Sequence, residues 1–555
     1  MVTGYDIASI LPFGIVCLFG IIVLMLEAFQ RPSFGREYIS YVAALGFAVA
    51  GGVTMQLDKL GLQTAFGGAA YLDGFAIALT LLFCAAGFLT CLLAPAYLKS
   101  HGVDRGEYYA LTLFATGGMM LMASAGDLVT FFVALEIQSV AIYGLAAYLR
   151  RSPRSAEAGM KYFLLGAFAT ALMLYGIALI YGATGSTNLA VIGDVLAMGA
   201  GSGDAIAATA RNAALGAAAG LSPTDLPASS NITGVLGHIP LLAIGVVLVV
   251  VGFSVKVAAV PFHMWAPDVY TGSPTPMVGF MASAVKAAGF AAMFRIFAVA
   301  LFDAELRMGP YGWVQVVFWI SLLSMVLGNL VALTQTNVKR MLAFSSVAHA
   351  GYLMIAICAM GYGDGNIDFG SGIVFYSFAY TFGTIGAFGV LSWFGKRGEE
   401  AETFDDLNGL GFSHPWLGAV LTLFMLSSAG IPPAAGFIGK FMIFNSAVEA
   451  ATKGSEAGIA GSNMLYVLVV VGILTSVAGV AYYLRVLVHL YMKKPLREVP
   501  AIPQSGARLA IALCAIATIW FGVFPAKLTT LSTDAVAQML DRGDGVAAVE
   551  MVSED

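Results

Sequence analysis

PMVGFMASAVKAAGFAAMFRIFAVALF, residues 276–302, carries two bases, Lys286 and Arg295, and no acid. A transmembrane helix needs about 20 apolar residues, and this run is long enough. A charge at the centre of a bilayer costs at least about 3 kcal/mol on insertion scales, so an intramembrane lysine reads as functional by default. Lys256 and Lys440 sit in similar apolar surroundings, and Glu136 is the one acid between Leu128 and Leu149. Four such residues in one chain suggest a path along which charge, most simply protons, moves through a membrane.

The composition agrees. Of 555 residues, 59% are hydrophobic and only 11% charged, with mean hydropathy +0.86. Soluble proteins carry roughly 25% charged residues, so this chain could not cover its own surface in water. It reads as an all-α integral membrane protein with about fourteen transmembrane helices. Their starts fall near residues 7, 38, 72, 108, 127, 156, 240, 274, 313, 338, 369, 415, 462 and 505. The runs are long and do not alternate with period two, which argues against a barrel. The first helix follows Asp6 and no small-residue cleavage pattern precedes Glu27, so it is expected to be retained. The five cysteines lie inside apolar segments without CxxC spacing and read as packing residues, with no case for a disulfide, a zinc site or an iron–sulfur cluster. The net charge of −5 gives no sign of nucleic-acid binding.

Basic residues fix an expected orientation. Loops after odd-numbered helices hold Arg31, Arg36, Lys99, Arg105, Arg150, Arg151, Arg154, Lys339, Arg340, Lys396, Arg397, Lys493, Lys494, Arg497 and Arg508. Loops after even-numbered helices hold only Lys59, Arg211, Arg307 and Lys453. The positive-inside rule then puts the odd loops in the cytoplasm and both termini outside. The expected layout is a single transmembrane domain. Residues 1–105 form helices 1–3, 106–304 a first repeat, 311–494 a second repeat, 505–527 helix 14, and 528–555 a polar outward tail. An outward loop over 185–239, rich in Gly, Ala, Ser and Thr, is expected to have no chemistry of its own.

Two helices read as broken. Gly252 and Pro261 bracket Lys256 in the seventh, and Gly430, Pro432, Pro433 and Gly436 precede Lys440 in the twelfth. Irregular backbone at membrane depth survives only where protein or water satisfies it, and breaks in matching positions point to inverted repeats. Helices 4–8 and 9–13 would be those repeats, five helices each. Glu136 lies nine residues beyond Asp127, about 13 Å into a core about 30 Å thick, and Lys286 about 18 Å beyond Pro274. Both fall near the midplane.

A Glu–Lys pair that forms and separates can set a proton's affinity by geometry, because burial and an opposite charge act against each other. Glu136 is therefore expected to pair with Lys256. Lys256 would exchange protons with Lys286 through water, and Lys286 would pass them towards Lys440. The plainer alternative is a set of fixed ion pairs that only hold helices together. Weaker candidates are Lys161, which could tune Glu136 or snorkel to the interface; His349, a bridge between halves or a packing residue; and His263, beside the first break. Arg295, about 31 Å along its helix from Pro274, reads as an outer anchor, and Arg485 as a snorkelling residue. The Met, Phe and Tyr stripes read as lipid-facing or packing positions.

The segments KVAAVPFHMWAPDVYTGSPTP (256–276), KRMLAFSSVAHAGY (339–352) and AGIPPAAGFIGKF (429–441) resemble the antiporter-like membrane subunits of respiratory complex I and their relatives in Mrp-type cation/proton antiporters. The likeness covers about residues 70–495. Lysine at position 440, where other branches carry an acid, and the lack of a long lateral helix after helix 14 are most like the family's subunit N. The resemblance implies fourteen helices, inverted repeats and proton pumping, with Glu136, Lys256, Lys286 and Lys440 at the family's relay positions. It also implies that NADH, FMN, iron–sulfur clusters and quinone are handled by other subunits, with no cofactor in this chain. A neighbouring antiporter-like subunit M, a small subunit K and a bacterial inner membrane are the implied surroundings. The alternatives are a cation/proton antiporter or membrane hydrogenase subunit on the same scaffold, or a passive scaffold.

Overall fold

Long apolar runs punctuated by glycine, proline and charged loops give a chain built almost wholly of helices. The computed structural model describes residues 4–30, 35–60, 63–200, 239–309, 312–363, 369–396, 399–496, 499–502 and 504–540. The main helices are α1 (Gly4–Ala28), α2 (Glu37–Leu57), α3 (Gly74–Ser100), α4 (Gly106–Ser124), α5 (Leu128–Ala146) and α6 (Pro153–Thr184). They continue as α7 (Leu189–Ala200), α8 (Ile239–Lys256), α9 (Ala266–Gly272), α10 (Thr275–Ala282), α11 (Ala284–Val299), α12 (Trp313–Thr334) and α13 (Val338–Tyr362). Then follow α14 (Ser371–Ser392), α15 (Pro415–Ala429), α16 (Ala435–Glu456), α17 (Met464–Met492), α18 (Ser505–Val523) and α19 (Ala526–Leu540). Among the described residues, eleven helices are long and apolar enough to cross a membrane, or twelve if the bent pair Asp405–Ser413 and Pro415–Ala429 counts as one span.

Burial sorts these helices into centre and rim. The apolar centres of Thr275–Val299 and Val338–Tyr362 are buried throughout, whereas only 22% and 28% of those of α1 and α17 are buried. The helices bearing Lys286 and His349 therefore lie inside the bundle, and the apolar flanks of α1 and α17 face outward, as a lipid solvent requires.

The two faces of the bundle are tied differently. At the basic-loop face, Glu400 accepts from Lys339 at 2.7 Å, His101 at 2.9 Å and Tyr97 at 3.1 Å, and Glu402 meets Arg154 at 3.3 Å. This latches the loop before α15 onto α3, α6 and α13. Burial pushes the Glu400 carboxyl up, but the Lys339 ammonium and the hydrogen bonds from His101 and Lys339 outweigh it and hold the group well below the usual carboxylate range.

At the opposite face, Arg295 makes a bidentate pair with Asp73, both contacts at 2.7 Å, with side chains 1% and 0% exposed. This corrects the expected anchor at the outer interface. Depth along one helix gives height but not what stands beside it, and Asp73, the N-cap of α3, stands there. Arg485 likewise has protein partners, the Gln335 carbonyl at 3.0 Å and the Phe404 ring at 4.1 Å.

The expected polar tail differs over its first part. Residues 526–540 form α19, which buries Leu528, Ser532, Ala535, Val536 and Met539. Helical spacing gathers these few positions on one face of an otherwise polar segment, and Gln538 accepts from the Gly74 amide at 3.0 Å. The rest of that tail lies outside the described residues. So does most of the 185–239 loop, whose described start includes α7 with Leu189, Ile192, Val195 and Leu196 buried.

Candidate functional site

The first break begins where α8 ends at Lys256. Residues 257–265 leave the helix, Ala258 has φ 56°, and the Val260–Pro261 peptide is cis. Freed backbone groups find partners in the protein: the Trp265 indole donates to the Val255 carbonyl at 2.9 Å, and the Val260 amide to Ser324 on α12 at 2.9 Å. At the second break α15 ends at Gly430, which has φ 84° and donates to the Leu426 and Ser427 carbonyls. A Cβ at Gly430 would lie 3.0 Å from Lys440 Cδ and 3.3 Å from its Nζ, so glycine serves both the left-handed turn and the lysine. The Pro432–Pro433 peptide is also cis.

A third interruption went unread in the sequence. At Ser283 the backbone turns to φ −116° and ψ −77°, dividing α10 from α11, and Lys286 follows three residues later. Only Gly279 and Ser283, whose hydroxyl donates back to the Gly279 carbonyl at 2.6 Å, hinted at it.

Each buried lysine is held by hydroxyls and carbonyls. Lys256 donates to Ser139 Oγ at 2.7 Å and Tyr143 OH at 3.1 Å, both on α5. Glu136 lies one turn before Ser139, and its Oε1 is buried with no hydrogen-bond partner. The expected Glu136–Lys256 ion pair is therefore not made in this structure. The two α5 hydroxyls, spaced along one helix face from Glu136, take the ammonium instead.

Lys286 donates to both the carbonyl and the hydroxyl of Ser346, at 2.8 Å each. Lys440 donates to the Ser428 and Ala429 carbonyls at 2.9 and 3.1 Å and to Ser476 Oγ at 2.8 Å. The first two are carbonyls freed by the end of α15, where the helix dipole also favours a cation.

His349 on α13 stands between Lys286 and Lys440. Its Nδ1 bonds Tyr376 OH, its Nε2 meets Tyr483 OH at 2.9 Å, and Tyr483 in turn bonds Ser345. Two small cavities meet at this histidine. One, of about 10 Å³, is lined by Ser283, Lys286, Ser346, His349, Ser377 and Tyr380, among others. The other, also of about 10 Å³, is lined by His349, Tyr376, Tyr380, Ser427, Ser428 and Gly436, among others. Each is at the lower limit for one water, roughly 10–15 Å³, and each offers it several polar partners. The tyrosines here belong to the stripes that the sequence presents as lipid-facing or packing positions, and none of the serines is singled out in the sequence. The available signal was their spacing of three or four residues from a candidate, as Ser346 stands from His349.

The other candidates fall elsewhere. Lys161 is 40% exposed and pairs with Glu157 at 2.6 Å and Asp268 at 2.7 Å, and Asp268 also meets Arg340 at 2.6 Å. It joins an inter-helix ion network and makes no ion pair with Glu136 among the described residues. His263 is part-buried, its Nδ1 is enclosed and unpartnered, and its ring centroid lies 6.1 Å from that of Phe344. A cleft of about 410 Å³ opens on the basic-loop face between His101, Arg151, Arg154, Ser273, Glu400 and Glu402, among others, but none of the four principal candidates lines it.

Residues 125–454, which contain Glu136, Lys256, Lys286, His349 and Lys440, match the family model for the NADH:quinone oxidoreductase/Mrp antiporter transmembrane region. The chain belongs to this family. It is 39% identical over 529 residues to NADH-quinone oxidoreductase subunit N of Trichlorobacter lovleyi, covering 95% of this chain and 96% of the relative. It is 40% identical over 552 residues to subunit N 1 of Sorangium cellulosum, covering 97% and 99%. A chain of respiratory complex I from Thermus thermophilus is 32% identical with TM-score 0.70, covering 94% of this chain and 99% of that one. A chain of the Mrp complex from Dietzia sp. has TM-score 0.74 at 18% identity, covering 97% and 99%, and shares the fold.

Proposed function

We infer that this chain is a proton-translocating membrane subunit of an NADH:quinone oxidoreductase, and that protons pass along Glu136, Lys256, Lys286 and Lys440. The observation that carries this reading is the pair of cavities meeting at His349 and Tyr380, one lined by Lys286 and the other by Ser428, whose carbonyl holds Lys440. Lys256 held by hydroxyls one turn from Glu136 supports a switch in which the ammonium moves between the two. Moving one charge against 100 mV costs about 2.3 kcal/mol, so the driving energy comes from redox chemistry in other subunits. NADH, FMN, iron–sulfur clusters and quinone belong to those subunits under this reading.

The same reading adds α4, α8 and the broken pair α15–α16 to the eleven apolar helices, for fourteen spans. Residues 106–304 and 311–494 are the inverted repeats, and the basic-loop face is cytoplasmic, with both termini outside a bacterial inner membrane. An antiporter-like subunit M and a small subunit K are its neighbours. The test is Lys286→Met in the assembled complex. Assembly should persist while the proton-to-electron ratio falls. A full ratio with full assembly would leave the lysines as structural charges and return the passive-scaffold reading. Co-purification with flavin and iron–sulfur subunits separates this role from a cation/proton antiporter.

A further inference from the structure

Asn329 is 1% exposed on α12, among side chains that are mostly apolar. Its Nδ2 donates to the Met325 carbonyl at 2.8 Å and to Tyr352 OH at 3.0 Å, while its Oδ1 accepts from Tyr482 OH at 3.0 Å. The amide cannot be turned over. A main-chain carbonyl only accepts, so the nitrogen must face Met325, and its second hydrogen must then face Tyr352. Gly479 on α17 makes room for this arrangement, since a Cβ there would lie 2.9 Å from Asn329 Oδ1 and 3.2 Å from Tyr482 OH.

With its oxygen held by an N–H, the Tyr352 hydroxyl must donate its own hydrogen elsewhere. Tyr352 is 2% exposed, and the Thr475 and Ser476 hydroxyls of α17 stand beside it. Ser476 Oγ is also the acceptor for Lys440 at 2.8 Å, and the Lys440 Nζ sits 5.2 Å over the Tyr352 ring. As an ammonium, Lys440 donates to Ser476. Once it has lost a proton, its amine needs a donor, and Ser476 supplies one when Tyr352 holds the serine oxygen.

We propose that Asn329 is a positioning residue for Lys440: it fixes Tyr352 as a hydrogen-bond donor to Ser476 and thereby lowers the proton affinity of Lys440. This rests on the relay reading above. The other titratable groups around Lys440 are His349 and Tyr352 on α13, Tyr376 on α14, and Tyr482 and Tyr483 on α17. Helix α15 carries none, and α18 holds Arg508 and Cys514.

The experiment measures redox-driven proton pumping of the assembled complex in inverted membrane vesicles from pH 6 to 9. Variants are Asn329→Leu, Tyr352→Phe, the double variant and Lys440→Met, with assembly read on native gels. Tyr352→Phe keeps the ring over Lys440 and removes only the hydroxyl. Each single variant should move the alkaline limb of the profile upward by about one pH unit, a typical spread for altered hydrogen bonding. The double variant should move it no further than Tyr352→Phe alone, because both act through one hydroxyl. If Asn329→Leu fails to assemble, the Tyr352→Phe profile decides. An unmoved limb, a downward shift or additive shifts overturn the positioning role. Normal pumping by Lys440→Met overturns the relay reading itself, which distinguishes the two failures.

Discussion

Replacing Arg295 by Met would leave the Asp73 carboxylate at 0% exposure without its guanidinium. Removing one partner of a buried ion pair costs about 3–5 kcal/mol, because the remaining charge loses its compensation in a low dielectric. The carboxylate cannot simply move away. Its Oδ1 also caps α3 by accepting from the Ala76 amide at 2.8 Å, and a lost cap costs about 1 kcal/mol more. The double variant Asp73→Asn with Arg295→Met removes both charges and keeps a capping oxygen. Its cost should fall to about 1–2 kcal/mol, chiefly the lost stacking of the guanidinium 5.2 Å over Phe75 and 5.6 Å over Tyr71. The assay heats membranes stepwise and follows the chain retained in the native-size complex. Arg295→Met should be lost at a clearly lower temperature than the double variant. If the single variant melts with the wild type, or the double melts no later than the single, the pair is not a latch between α3 and α11 and the reasoning fails.

Trp265→Phe removes the donor to the Val255 carbonyl and should cost about 1–3 kcal/mol, read by the same heating assay, with the loss centred on the first break. Gly430→Ala places a Cβ 3.0 Å from Lys440 Cδ in a left-handed turn, at a cost of about 1–2 kcal/mol. It should depress pumping more than electron transfer. Burial, chiefly, raises the Asp104 carboxyl from 3.8 to about 6, and its Oδ1 is buried without a partner. A raised carboxylate pKa means that stability falls as pH rises from about 4 to 6 and stays reduced above that. Asp104→Asn should therefore stabilise the complex at pH 7 and make no difference near pH 4. Glu400 is held low, so the loop latch keeps its full strength above the ordinary carboxylate range and is lost only as pH falls through the depressed native value. Glu400→Gln should weaken the latch throughout pH 5–8, read as faster proteolysis of residues 399–409.

Much of this was legible because lipid imposes one rule on every span. Apolar length locates helices, and a lone charge in a long apolar run cannot be casual, so Lys286 and Glu136 stood out. Gly430 and the two prolines after it marked the second break for the same reason. Lateral neighbours were not legible. Depth along α11 placed Arg295 near the outer end but said nothing of Asp73, more than two hundred residues away in sequence. Pairing Lys256 with Glu136 followed from opposite charges at membrane depth, whereas Ser139 and Tyr143 compete for the ammonium from the helix face of Glu136 itself.

The sequence alone determined the solvent, the helical class, the two proline-marked breaks and the identity of three buried lysines and the half-buried Glu136. Each follows from composition within a single segment, since desolvation acts on a residue wherever it packs. The tertiary structure decided which groups share a hydrogen bond. It placed Ser346 on Lys286, the end of α15 on Lys440, His349 between two cavities, and Asn329 against Tyr352. Those contacts depend on rotation about helix axes and on glycines such as Gly479 that let helices approach. Neither is written in the hydropathy of any one helix.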